Sequence, residues 1–144
     1  MDMKLEVVIL PVSDVDRAKE FYERIGFHLD VDHQPNEAFR VVQFTPPGSA
    51  CSITFGVGLG EVADSPIKGL HLCVTDIEEA HAALSGRGVE LTPIRHMGAG
   101  GWEEGPDPDR SNYGSYVFFN DPDDNGWALQ EVGYRTSREE RHEG

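Results

Sequence analysis

The side chain best suited to catalysis or ligand binding is His71, which lies in the otherwise apolar, strand-like segment Gly69-Leu70-His71-Leu72-Cys73-Val74. A neutral imidazole can orient a bound molecule by hydrogen bonding, and it can also act as a general base near neutral pH. A lone strand histidine often has a purely structural role, and no acidic partner can be assigned to this one from sequence. We therefore take His71 as the candidate catalytic residue and as a candidate ligand-binding residue.

Five further side chains are candidates for binding a small molecule. Three are polar and alternate along predicted strands, so each shares a sheet face with its second neighbours: Ser52, Thr54 and Gln130. Their hydroxyl and amide groups suit recognition of an uncharged polar group, but inward polar packing would use the same residue types. The other two, Trp102 and Tyr116, are aromatic and suit either a stacking wall or the core.

Neither the cysteines nor the histidines show the spacing of a metal site. Cys51 and Cys73 lie in separate strand-like segments, which predicts free thiols and argues against a disulfide framework or a zinc knuckle. The remaining histidines form no metal-spaced cluster and are read as solvated, among them His28, His33, His81 and His96.

An internal repeat in the sequence predicts which strands and helices position these residues. Residues 7–16 align with residues 69–78 at a constant offset, 69 − 7 = 62, with Leu, Val and Asp at matching places. In each copy an apolar strand leads into a pattern that resembles a capping box, in which a hydroxyl residue precedes a carboxylate by three positions. The two patterns are Ser13 with Asp16 and Thr75 with Glu78.

The elements after these caps recur in the same order. Gly26 and Gly88 are expected to close the two helices in the left-handed conformation. Three strand candidates follow in each copy, at about 27–32, 39–45 and 51–57, then at about 89–94, 114–120 and 126–132. The pattern predicts an α+β fold of two βαβββ modules.

The domain organisation follows from this plan. We expect a single domain over residues 1–144, with repeats at about 4–57 and 68–133, a linker at 58–67 and a flexible charged tail at 134–144. The Gly- and Pro-rich stretch 96–112, which contains Trp102, is long enough to be a lid or a disordered loop.

Composition excludes several classes of partner. The net charge of −14, from 12 Lys and Arg against 26 Asp and Glu, repels nucleic-acid phosphates and anionic lipid. No apolar run approaches the roughly 20 residues that span a bilayer, and no signal-type segment follows Met1. We expect a cytoplasmic protein that binds neither nucleic acid nor membrane.

Three stretches of the chain resemble the vicinal oxygen chelate superfamily, which includes glyoxalase I, extradiol dioxygenases and bleomycin-resistance proteins. They are the strand and cap at 12–18, the helix end at 21–27 and the near-terminal stretch at 119–127, within a resemblance that covers about residues 4–133. It implies the glyoxalase/bleomycin-resistance fold, a curved, cup-shaped mixed sheet with helices outside and the ligand on its concave face. It also implies a homodimer, since short members usually assemble in pairs.

Metal-using members of that superfamily carry His, Glu or Gln ligands at four positions. Carried over one by one, these positions hold Val7, Thr54, Gly69 and Ala128, of which only Thr54 offers an oxygen. A divalent ion needs several charged or imidazole ligands to offset its lost hydration, so we expect no metal and no cofactor. A one-residue error in strand register would bring Glu131 to that face or move His71 away, which leaves a divalent metal ion as the alternative.

The leading hypothesis is therefore a metal-independent small-molecule-binding protein that sequesters an aromatic or cationic compound. The alternative is an enzyme of the same superfamily: a metal-dependent lyase, isomerase or dioxygenase, or a metal-free isomerase or lyase that uses His71. A third possibility is an accessory subunit whose cup has become a protein-contact surface. Whether the chain is an enzyme stays open from sequence.

Overall fold

A computed structural model of the chain describes residues 1–143, which form two compact units. Unit 1 comprises Met1–Ile67 and Asp121–Asn125, and unit 2 comprises Lys68–Asn120 and the chain from Gly126 onward. Each unit combines helix with an open, mixed β-sheet, which confirms the predicted α+β class.

Unit 1 follows the predicted order of one strand, one helix and three strands. Its sheet has the order β1-β4-β3-β2, in which β1 runs parallel to β4 and the other pairs are antiparallel. The elements are β1 (Val7–Ile9), α1 (Val15–Arg24), β2 (His28–Asn36), β3 (Phe39–Thr45) and β4 (Ser52–Val57).

Unit 2 has a five-stranded sheet of order β5-β9-β8-β6-β7, in which β5 is parallel to β9 and the other pairs are antiparallel. Its elements are β5 (Leu70–Val74), α2 (Ile77–Gly86), β6 (Arg95–Gly98), β7 (Gly101–Glu104), β8 (Ser115–Asn120), β9 (Gly126–Glu131) and α3 (Tyr134–Glu143). Among the residues that the structure describes, no helix is long and apolar enough to cross a membrane.

The strand predicted at 89–94 is wrong, because the ordered strand begins only at Arg95. Thr92 still donates its backbone N–H to the carbonyl of Phe118 at 3.0 Å, but the next residue, Pro93, has no N–H to continue a ladder. The hairpin β6–β7 then forms inside the stretch that was expected to be a lid or a disordered loop.

The charged segment predicted as a flexible tail contains helix α3. Ser137 donates its N–H to the carbonyl of Gly133 and its hydroxyl to the carbonyl of Tyr134, both at 2.9 Å, so the first turn is well bonded. Gly144, the last residue of the predicted tail, lies outside the described residues.

Both helices begin one residue later than the capping-box pattern predicts. The N-caps are Asp14 and Asp76, whose carboxylates accept the N–H groups of Arg17 and Glu79 at 3.1 Å. Ser13 instead donates its N–H and hydroxyl to Asp123, at 3.0 and 2.6 Å. Ser13 is thus bonded to a carboxylate 110 residues away in sequence, and the next residue caps the helix.

The glycines close the two helices as predicted. Gly26 and Gly88 have φ of 96° and 81°, in the left-handed region. The N–H two residues past the C-cap then bonds back to the carbonyl five positions earlier, from Phe27 to Tyr22 at 3.0 Å in unit 1. Val89 and Leu84 make the matching bond in unit 2 at 3.1 Å.

In each unit the helix and one sheet face form the core. In unit 1, Tyr22 of α1 packs against the parallel rings of Phe44 and Phe55, whose centroids lie 6.0 Å apart. In unit 2, the buried core includes two side chains of α2 and four of the sheet: Ile77, Leu84, Val117, Phe119, Trp127 and Leu129. The opposite sheet face of unit 2 is free of α2, and four of the six candidate residues lie there: His71, Trp102, Tyr116 and Gln130.

Candidate ligand-binding site

Strand pairing assigns a defined set of side chains to the sheet face of unit 2 opposite α2. His71 lies beside Ala128 and Cys73 beside Gln130, while Ala128 and Gln130 lie beside Phe118 and Tyr116. Residues that pair across neighbouring strands point to the same side of a sheet. We call this surface the His71 face, defined by His71, Cys73, Arg95, Trp102, Tyr116, Phe118, Ala128 and Gln130.

Glu131 lies on the other side of the sheet, so the strand register places His71 on its face as predicted. The Glu131 side chain is fully buried, and its Oε2 accepts the N–H of Ile77, the first residue of α2, at 2.9 Å. Arg110 donates to both carboxylate oxygens, at 2.7 and 2.6 Å. These hydrogen bonds to Glu131 are the main cause of a pKa of Arg110 above its usual range. Glu131 is therefore a structural carboxylate.

Three aromatic rings form the largest feature of the His71 face. Tyr116 and Phe118 alternate along β8, so their rings lie side by side, 5.9 Å apart and 7° from parallel. Trp102 of β7 meets both of them edge-on, at 5.3 and 6.1 Å between centroids. Its side chain is nevertheless 47% exposed, which leaves indole surface for a further contact. Trp102 and Tyr116, both predicted, are thus brought together.

Arg95 completes this aromatic cluster. It pairs with Tyr116 across the strands, and its guanidinium carbon lies 5.2 Å from the Phe118 ring centroid and 5.8 Å from that of Trp102. The side chain lines a pocket of about 220 Å³ together with Pro93, Trp102, Glu103 and Glu104. Its Nε atom is buried and has no hydrogen-bond partner within the described part of the chain.

The predicted pair His71 and Gln130 is also brought together. Nδ1 of His71 donates to Oε1 of Gln130 at 2.5 Å, which leaves Nε2 as the acceptor of the ring. The Gln130 side chain is buried, whereas His71 is exposed and lines a pocket of about 290 Å³ with Gly69, Phe118 and Ala128 among its walls. The glutamine therefore orients the imidazole.

The other two predicted residues, Ser52 and Thr54, lie in unit 1. Both are buried on β4, on the sheet face that Val7 and Ile9 share with them. The Ser52 hydroxyl lies 2.6 Å from that of Thr45, which in turn donates to Asp30. Ser52 thus belongs to a local polar network of unit 1, and Thr54 lies two residues further along the strand.

The four superfamily metal positions do not fit a divalent ion. Val7, Gly69 and Ala128 have no donor atom in their side chains, and Thr54 offers only a neutral hydroxyl. Residues 1–139, whose side chains the structure describes, contain no group of three or more His, Cys, Asp or Glu side chains placed to hold a metal. Cys51 and Cys73 are free thiols, as expected.

Two members of the His71 face, Arg95 and Phe118, escaped the sequence-based prediction. Phe118 carries the available signal, since it alternates with Tyr116 in the segment Tyr-Val-Phe. The sequence around Arg95 gives no such signal, because Arg95 falls just outside the strand predicted at 89–94. Its position in the site depends on the pairing of β6 with β8.

Comparison with known proteins assigns the family. The model of the glyoxalase/bleomycin resistance protein/dioxygenase superfamily matches residues 4–129. The chain belongs to this superfamily. The match confirms the resemblance inferred from the motifs. This chain is therefore a superfamily member in which three of the four metal positions hold side chains that cannot bind a metal.

Solved structures of other proteins resemble this one. TnmS3, an antibiotic binding protein from Streptomyces sp. CB03234, shares 28% identity with a TM-score of 0.67, over 90% of this chain and 96% of that one. A superfamily member from Sphaerobacter thermophilus DSM 20745 shares 28% identity with a TM-score of 0.68, over 91% and 98% of the two chains. No curated protein matches the chain significantly.

Proposed function

We propose that this superfamily member binds a flat aromatic compound on the His71 face without a metal ion. The aromatic cluster of Trp102, Tyr116 and Phe118 carries the proposal. It offers a half-exposed indole edge-on to two parallel rings, and such rings stack favourably on a planar ligand. Binding without reaction would suffice to sequester such a compound.

The cluster favours an aromatic ligand over a cationic one. Arg95 already lies over the rings of Phe118 and Trp102, where a ligand cation would need to lie for a cation–π contact. A second positive charge there would be repelled at short range. Of the two ligand classes predicted from sequence, we therefore retain the aromatic one.

Similarity to an antibiotic binding protein supports binding as the activity. TnmS3 carries that description, and its 28% identity extends over nearly the whole of both chains. By the same reasoning from the family, we propose a cytoplasmic homodimer, and we propose that the two units are diverged copies of one repeat.

The proposal is tested by titrating the protein with 2-acetylnaphthalene, a flat neutral probe, in a calorimeter. Trp102→Ala should weaken binding about tenfold, because an aromatic contact contributes on the order of 1 kcal/mol beyond its buried area. Tyr113→Ala is the matched control, since Tyr113 is an exposed aromatic residue of the same unit outside the His71 face. Equal affinities for the two variants would contradict the proposed site.

A metal-free enzyme is the second candidate, and the orientation of His71 favours it. Gln130 holds Nδ1 as a donor, so Nε2 is available to remove a proton from a molecule in the adjoining pocket. Such a base would exchange the acetyl protons of 2-acetylnaphthalene for deuterium in D2O. Exchange faster than in buffer, lost in His71→Ala with binding retained, would establish the enzyme; exchange at the buffer rate would reject it.

A further inference from the structure

One hydrogen-bond donor of Arg95, its Nε–H, has no acceptor in the part of the chain that the structure describes. Its guanidinium lies against the ring faces of Phe118 and Trp102, which accept no conventional hydrogen bond. Its Nε is buried and has no hydrogen-bond partner among residues 1–139, whose side chains the structure describes. Within the same residues, Asp123 Oδ2 is also buried without a hydrogen-bond partner. Arg95 is the one that belongs to the His71 face.

An unpaired buried donor is costly, and more so when the group is charged. Most buried polar atoms in native proteins have a partner, so an exception at a binding surface calls for a physical reason. Trp102 closes over the guanidinium from a half-exposed position on the β6–β7 hairpin, held edge-on to its neighbours. Rotation of that indole would open the guanidinium to an acceptor atom.

We infer that the ligand of the His71 face is an aromatic carbonyl compound, whose carbonyl oxygen accepts a hydrogen bond from the Arg95 guanidinium while its ring stacks on the aromatic cluster. This inference rests on the proposed function and narrows it to one chemical class. The protein thereby distinguishes an aryl ketone from an aromatic hydrocarbon of the same shape.

The surrounding charges favour a neutral acceptor over an anionic one. Glu104 pairs with Arg95 across β6 and β7, and Glu103 lines the same pocket. Both carboxylates would repel a ligand carboxylate, whereas a ketone oxygen can accept the hydrogen bond without that repulsion. A ligand cation would instead meet the charge of Arg95 itself.

The test compares 2-acetylnaphthalene with 2-ethylnaphthalene, which has the same ring system and a two-carbon side chain but no carbonyl oxygen. Wild-type protein should bind the ketone at least about tenfold more tightly, since a hydrogen bond to a charged donor is worth about that factor. Arg95→Met keeps the length and apolar stem of the side chain, so it should bind both probes with the affinity of wild type for 2-ethylnaphthalene. The anion 2-naphthoate should bind wild type more weakly than the ketone.

Nuclear magnetic resonance of wild type gives a second readout that needs no variant. The Arg95 Nε–H signal should lie further downfield on saturation with 2-acetylnaphthalene than on saturation with 2-ethylnaphthalene, because both probes exert a similar ring-current effect and only the ketone accepts a hydrogen bond. Equal affinity for the two probes, or a preference for the ketone that survives in Arg95→Met, would overturn the inference and leave the aromatic site intact. Absence of binding by both probes would overturn the proposed function with it.

Discussion

Replacing Arg110 with methionine should leave the buried carboxylate of Glu131 without its counter-charge. Glu131 is fully buried and Arg110 is 13% exposed, and two hydrogen bonds of 2.7 and 2.6 Å join them in a bidentate pair. The arginine also packs on the Tyr134 ring, 3.5 Å from its centroid. Methionine keeps the apolar stem and the same left-handed backbone, for which φ is 49°.

The magnitude follows from that burial. Removing one partner of a buried ion pair costs about 3–5 kcal/mol, because the remaining charge is left without compensation. A domain of this size has a total free energy of unfolding of about 5–15 kcal/mol. Arg110→Met should therefore lower the melting temperature by about 10 °C or more.

The assay is urea unfolding of Arg110→Met alone and combined with Glu131→Gln. The glutamine removes the buried charge, yet its amide oxygen can still accept the N–H of Ile77. The double variant should therefore be about 1–2 kcal/mol more stable than Arg110→Met alone. A cost below about 1 kcal/mol for the single variant, or a double variant less stable than it, would refute the assignment of Glu131 as a buried structural charge.

Other predictions concern unit 1 and helix α2. Gly56→Ala should destabilise the protein by about 1–3 kcal/mol, because the new Cβ would lie 1.8 Å from the Arg40 carbonyl oxygen. The Cβ added by Gly86→Ala would have no atom within 4 Å, so this change should raise the free energy of unfolding by about 0.5–1 kcal/mol in the same urea assay. A Gly56→Ala variant more stable than Gly86→Ala would contradict both predictions. The pKa of Asp32 is lowered from 3.8 to about 2 by hydrogen bonds from Arg40 and Lys19. Its stabilisation is thus full above about pH 4 and lost toward pH 2. Asp32→Asn should remove that part of the pH dependence of the melting temperature. A pH dependence equal to that of wild type would count against the ion pairs of Asp32 with Arg40 and Lys19.

Local sequence signals are enough to predict most of the fold. Gly26 and Gly88 close the helices because a left-handed residue is needed there, and that requirement lies within one turn of chain. The side of the sheet on which His71 lies also follows from local sequence, since alternation along β5 places it opposite Leu70 and Leu72. Pairing with Gln130 then follows once β5 and β9 are neighbours.

Features that depend on distant partners could not be predicted in the same way. Ser13 and Asp14 are both good N-caps, and the bonds of Ser13 to Asp123, far along the chain, are not visible in the local pattern. The place of Arg95 in the site depends on the pairing of β6 with β8, and Pro93 displaced that strand from its predicted position. The aromatic half of the site was therefore only partly predictable.

The most direct test of the account is ligand binding after metal removal. Protein stripped with EDTA and verified metal-free by mass spectrometry should bind 2-acetylnaphthalene with the affinity of untreated protein, since Val7, Gly69 and Ala128 offer a metal no donor. Loss of binding on stripping, with recovery on one equivalent of a divalent ion, would contradict the claim of a metal-free aromatic site.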